Sequence, residues 1–179
     1  MRPIAARGPR AWQPRTFIRS RARRVQRFAP TRTENTMPDA IALDLRARRE
    51  AVIRAHADAE SCQDVEATLK TFHRPRYEVV PLGEPIDGAA NVRELLKGLL
   101  EGFPDFHAAI DRMHHSESVV SVELRMLGTH RGPWAGIPPT GRRIDGPALS
   151  LFKFDGDKLE CEKVYFDMAT LMRQLGAIA

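Results

Sequence analysis

The sequence predicts an α+β domain, with helices covering one face of a bent antiparallel sheet and a cavity between the two layers. Two observations carry this. Apolar residues recur at helical spacing as far as Phe103, and after Pro104 the period changes to the alternation of strands. A third, the lack of internal repeats or low-complexity stretches after residue 37, makes this one domain, and 179 residues suffice for a real core.

The elements follow in order. From Ala40 to Glu60, the residues Ile41, Leu43, Leu45, Val52, Ile53 and His56 share much of one face of a long helix. Ser61, with Asp64 three residues on, reads as the N-cap of a second helix that runs to Phe72 on Val65, Leu69 and Phe72. Pro75–Pro81 is a short strand or extended link, and Glu84–Gly88 a turn. Asn91 to Phe103 gives a third helix through Val92, Leu95, Leu96, Leu99 and Leu100, which Pro104 ends. Four strand segments follow, and Asp155–Asp157 is a tight hairpin signal between the last two. A short helix from Ala169 to Leu175 stops at Gly176.

Charge divides the chain. Its formal net charge is +5, but residues 1–36 hold ten arginines and one acid, so that segment carries +9 and the remainder −4. The basic character belongs to a tail expected to be disordered, and this argues against a nucleic-acid-binding domain. The tail reads as a transit segment, as a polyanion-binding arm, or as sequence upstream of a natural start at Met37, the favoured reading. The domain is accordingly expected over residues 37–179. No apolar run reaches the length of a membrane span. Cys62 and Cys161 lie far apart without metal-type spacing and read as reduced packing residues of a cytoplasmic protein.

Candidate chemistry is sparse. On the last strand Cys161, Lys163, Tyr165 and Asp167 share one face, and Glu162, Val164, Phe166 and Met168 the other. Asp167 reads either as the N-cap of the last helix or as a general base in an apolar cavity. His130 continues the apolar face of Val120, Val122, Leu124, Met126 and Gly128, as a core histidine or as a partner to a carboxylate or oxyanion. The histidines show no ligand spacing, so no metal is expected, and no nucleotide or redox motif implies a cofactor. The segment Gly128–Ile144 is too long for a plain hairpin, with four glycines, three prolines and Trp134.

The motifs GTHRGPWAGIPPTGR (Gly128–Arg142), FKFDGDKL (Phe152–Leu159) and EKVYFDMATLMRQLG (Glu162–Gly176), preceded by RYEVVPLGEPIDG (Arg76–Gly88) and FPDF (Phe103–Phe106), resemble the SnoaL-like ester cyclases of the nuclear-transport-factor-2-like superfamily. The resemblance covers roughly residues 45–176. It implies a cone, a curved antiparallel sheet wrapped around three helices, that dimerises through the sheet. It further implies a cofactor-independent cyclase or isomerase acting on a small apolar carbonyl compound of the polyketide or ester type. Asp167 matches the family's acid/base aspartate and His130 a histidine of the loop motif. Tyr165 then joins His130 as a candidate to steady an enolate, and Trp134 closes over the ligand from a stiff flap braced by Arg142 or Arg143. FHRPRYEVVP (Phe72–Pro81) departs from the family's polar segment, which moves that polar role to His73. The alternative is a non-catalytic binding protein of the same fold, in which Asp167 only caps a helix.

Overall fold

The structure is a computed structural model and describes residues 38–179. The arginine-rich segment 1–36 and the start at Met37 lie outside the described residues. The elements are α1 (Pro38–Ser61), α2 (Val65–Thr71), β1 (Arg76–Val79), a 3₁₀ turn at Val80–Leu82, β2 (Ile86–Asp87), α3 (Ala89–Gly102), β3 (His107–His115), β4 (Val119–Thr129), β5 (Arg143–Asp155), β6 (Lys158–Phe166) and α4 (Met168–Leu175). One six-stranded sheet has the order β2-β1-β6-β5-β4-β3. It is the expected α+β arrangement.

Three details differ from the sequence reading. Ser61 ends α1, and Asp64 caps α2 by accepting the Ala67 N–H at 2.8 Å. The reason lies in Gln63, whose φ of 63° reverses the chain between the helices. The Ser61 hydroxyl instead meets His107 Nδ1 at 3.0 Å. Next, the stretch read as a turn holds β2, which pairs with β1. Lastly, the sheet is mixed: β1 runs parallel to β6, with Tyr77 opposite Glu162. The returning chain after α2 brings β1 alongside β6, the last strand, and no local signal in a four-residue strand encodes that partner.

The core lies between the helices and the inner sheet face. Ile53, Leu96, Phe103, Val120, Val122 and Leu171 are each at most 2% exposed, and each contributes on the order of 1.5–3 kcal/mol by burial. Cys161 is buried on the outer sheet face, its thiol 3.8 Å from Glu78 Oε1, and Cys62 is exposed on the turn after α1 and packs nothing, contrary to expectation. Arg49 fixes α1 to the sheet. Its buried guanidinium donates to the carbonyls of Gly156 (2.7 Å) and Glu117 (3.0 Å) and lies over the Phe154 ring, binding the tips of both hairpins. That anchor sets the face which α1 turns toward the sheet.

Candidate functional site

The two layers enclose a cavity of about 370 Å³, within the range of small-molecule sites. Its walls are largely apolar, with Leu95, Leu99, Phe106, Met126, Trp134 and Phe166 prominent. Exposed Leu82, Glu94 and Ala135 mark the mouth. At the opposite, inner end stand Glu60, Tyr77, Ser150 and Glu162, all buried.

Local periodicity explains how these side chains meet. His56 and Glu60 stand four residues apart on α1 and so share one face. Tyr77 comes from β1, Ser150 from β5 and Glu162 from β6, all pointing inward from the sheet. The parallel β1–β6 pairing places Tyr77 beside Glu162.

The hydrogen bonds have one consistent direction. Thr71 Oγ1 donates to the Thr68 carbonyl at 2.7 Å, so it can only accept from His56 Nδ1, also at 2.7 Å. The Tyr77 hydroxyl donates to Glu60 Oε1 at 2.7 Å, so it accepts from His56 Nε2 at 2.7 Å. His56 therefore donates from both nitrogens and is an imidazolium. Glu60 Oε1 and Glu162 Oε2 lie 3.4 and 3.1 Å from Nε2. The Nε2–H is spent on Tyr77, however, so Glu162 Oε2 has a charge beside it but no aligned donor. The other Glu162 oxygen accepts from Ser150 Oγ at 2.6 Å.

Electrostatics agree with that direction. Burial works to lower the His56 pKa, but Glu60 and Glu162 overcome it and raise it to about 10. Burial works to raise Glu162, yet the neighbouring His56 charge and the Ser150 hydrogen bond hold it below the usual carboxylate range. Burial and the two carboxylates push the Tyr77 hydroxyl well above ordinary phenols. The donors of His56, Glu60 and Glu162 all lie within 4.8 Å of one another, a spacing that can hold a metal ion, and a cation there would have to displace the His56 proton.

The residues singled out from sequence fall in different places. Trp134 lines the cavity, whereas Asp167, His130, Tyr165 and His73 do not. Asp167 is exposed and caps α4, accepting from the Thr170 N–H at 3.1 Å and its hydroxyl at 2.5 Å; these bonds lower its pKa. Tyr165 lies on the outer sheet face, 39% exposed, under the Lys163 ammonium. His73 is exposed, 4.0 Å from Glu160.

His130 is fully buried at the root of the flap, where its Nδ1 meets Thr140 Oγ1 at 3.1 Å and the Thr140 N–H at 3.3 Å. Burial lowers its pKa. The flap is held further by the Arg131 and Gly132 N–H groups, both on the Gly102 carbonyl, and by Trp134 edge-on to Phe103 at 5.2 Å. A Cβ at Gly132 would overlap the Glu101 carbonyl oxygen, so only glycine lets the flap approach α3. The Arg142 guanidinium packs against Gly176 and braces the flap on the end of α4.

Sequence reasoning missed His56, Glu60 and Glu162 as a set. Two signals were available: the H-x-x-x-E spacing on a core-facing helix, and an acid at an inward position of β6.

The sequence profile of the SnoaL-like polyketide cyclases matches residues 50–175. No curated protein matches the chain. Among solved structures, a candidate hydroxylase, AclR, from Streptomyces galilaeus is 22% identical with a TM-score of 0.65, covering 74% of this chain and 98% of its own. A candidate SnoaL-like polyketide cyclase from Jannaschia sp. CCS1 is 18% identical, with a TM-score of 0.63 and coverage of 74% and 94%. A protein of ketosteroid-isomerase-like fold from Catenulispora acidiphila, in complex with trimethylamine, is 16% identical, with a TM-score of 0.61 and coverage of 70% and 92%. At these identities the structures establish a shared fold. The profile match spans most of the chain, which therefore belongs to the SnoaL-like polyketide cyclase family.

Proposed function

Given that membership, we propose that the cavity carries out cofactor-independent proton-transfer chemistry, of the cyclase or isomerase type, on a small apolar carbonyl compound resembling a polyketide or its ester. The observation that supports this reading is Glu162, a residue of the cavity lining whose buried Oε2 has no aligned donor and lies beside an imidazolium. Glu162 takes a proton from the carbon α to the carbonyl. Tyr77 turns its own proton to the developing enolate oxygen and draws the Nε2 proton of His56 behind it. As His56 gives up its charge, the cation that kept Glu162 weakly basic disappears, so the two transfers assist each other. The enolate carbon then attacks a second carbonyl in an aldol closure, or is reprotonated elsewhere in an isomerisation. Reversal of the relay returns each proton to its place.

This reading moves the acid/base role from Asp167 to Glu162. The trimethylamine held by the Catenulispora fold relative supports a small-molecule occupant. The test is α-deuterium uptake in D₂O by β-keto esters and linear polyketide mimics, followed by NMR with the full chain. Glu162→Gln is expected to slow uptake by about 10²–10⁴-fold, the usual worth of a general base. Asp167→Asn is expected to leave it nearly unchanged. Loss of uptake in Asp167→Asn with retention in Glu162→Gln would return the role to the aspartate. No uptake by the folded wild type would leave a binding protein.

A further inference from the structure

The inner end of the cavity is unbalanced in charge. One imidazolium, His56, faces two carboxylates, Glu60 and Glu162, so the buried cluster is net negative by one unit. Among the described residues lining the cavity there is no lysine or arginine. The nearby cations are engaged elsewhere: Lys97 pairs with Glu94 at the mouth, Lys153 and Lys163 hold Glu78, and Arg49 is bound to backbone carbonyls. Glu94, the remaining charged group of the lining, is itself acidic. The polar atoms at the inner end are also biased. Ser150 and Tyr77 have both committed their protons to carboxylates, while Glu162 Oε2 still lacks a donor. The site thus offers an acceptor and negative charge to whatever enters, in an apolar chamber where charge is poorly screened.

We infer that the cavity is selective for apolar molecules whose leading end carries a hydrogen-bond donor, with an ammonium preferred to a hydroxyl, and that it excludes molecules leading with a carboxylate or phosphate. A donor would meet the carboxylates of Glu60 and Glu162 at the inner end, and a cation would also neutralise the cluster. An anion would meet two carboxylates and no free donor, and would be left desolvated and unpaired. The body of such a ligand lies along Leu95, Leu99, Phe106 and Trp134. This inference rests on the proposed function for the end of the cavity at which chemistry occurs. It excludes free acids as substrates while admitting enols and hydroxylated rings. It also makes amines of matching shape inhibitors of proton abstraction, because they occupy the base.

The test is calorimetric binding to the full chain of three compounds with one apolar body: 2-(2-naphthyl)ethylamine, 2-(2-naphthyl)ethanol and 2-naphthylacetate, at pH 7. The amine is expected to bind about 10- to 100-fold more tightly than the carboxylate, with the alcohol between them. Glu162→Gln is expected to collapse that ranking. Should this variant fail to fold, Ser150→Ala serves instead: freeing a second Glu162 oxygen should widen the gap. Equal or tighter binding of the carboxylate overturns the inference, and so does a ranking unchanged in the variants. Because no proton is abstracted in this assay, the two readings separate. A correct ranking without deuterium uptake removes only the proposed function. Glu162-dependent uptake with a wrong ranking removes only the ligand class.

Discussion

Glu162 and Asp167 stand five residues apart at the end of the sheet and carry the same functional group in opposite circumstances. Glu162 lines the cavity and is buried between an imidazolium and a serine, with one oxygen lacking a hydrogen-bond donor. Asp167 is exposed, and Thr170 engages both of its oxygens. Both pKa values are lowered, but for different reasons: Glu162 by a buried counter-charge that can leave during a reaction, Asp167 by hydrogen bonds that stay in place. A depressed carboxyl pKa therefore says little about role until the donor responsible is identified. On the proposed mechanism a removable counter-charge makes a base, whereas fixed hydrogen bonds make a cap.

The strongest way to break the comparison is to remove the counter-charge. His56→Gln leaves Glu60 and Glu162 buried against each other without a cation. Loss of one member of such a cluster typically costs about 3–5 kcal/mol. Urea unfolding monitored by circular dichroism should show a loss of that order. A variant as stable as wild type would mean that His56 is neutral in the folded protein.

Titration sharpens the same point. The folded His56 pKa of about 10 stands above its unfolded value near 6.5. Between those values the folded state holds a proton that the unfolded state has released, so stability falls as pH rises through this window. Below about 6.5 both states are protonated and the contribution is fully present. Stability should therefore decline from pH 6.5 to 10, by at most about 1.4 kcal/mol per pH unit for one proton. His56→Gln should remove that slope and Asp167→Asn should keep it. Glu162 acts at the other extreme: its lowered pKa stabilises the fold above its unfolded value, and this is lost as pH falls through the folded one. A pH-independent midpoint between 6.5 and 10 would contradict the imidazolium.

The flap sets a third, smaller effect. A methyl group at Gly132 would collide with the backbone oxygen of Glu101, which cannot turn aside as a side chain would. Gly132→Ala should cost about 1–3 kcal/mol, as overpacking does, and weaken binding of the naphthyl amine by displacing Trp134 from the mouth. Retained affinity and stability would show that the flap does not depend on this close approach.

These contrasts also show which features were legible in the sequence. Helical spacing up to Phe103 and alternation after Pro104 were enough for the layers, because both periods are local. The alternation of β6 separated the Glu162 face from the Asp167 face as well. What it could not supply was which face looked inward, or that β1 would lie parallel to β6 and bring Tyr77 to Glu162. His56 read as one more member of an apolar helix face, since its meaning depends on Glu162, more than a hundred residues away. Asp167 drew notice because it sits in a recognisable motif, but a motif aspartate at the start of a helix is also what a cap requires. The flap was legible as one long segment of glycines and prolines around Trp134, which lines the cavity. Its contacts with Glu101, Gly102 and Phe103 lie on α3 and its end, and no local signal encodes them.

The smallest expected effect falls on Asp167. Asparagine is about as good an N-cap as aspartate, and its side-chain oxygen can keep the Thr170 N–H bond. Only the charge at the helix start and the second bond, from the Thr170 hydroxyl, are altered. Asp167→Asn should therefore lower the melting temperature less than Gly132→Ala does, and Asp167→Ala somewhat more than Asn. Deuterium uptake should follow helix integrity rather than charge, so that Asn resembles wild type and Ala is mildly impaired through Met168 and Phe166, which line the cavity on either side of the cap. The opposite order, with Ala active and Asn inert, has no explanation as capping and would point to a protonation role at this position.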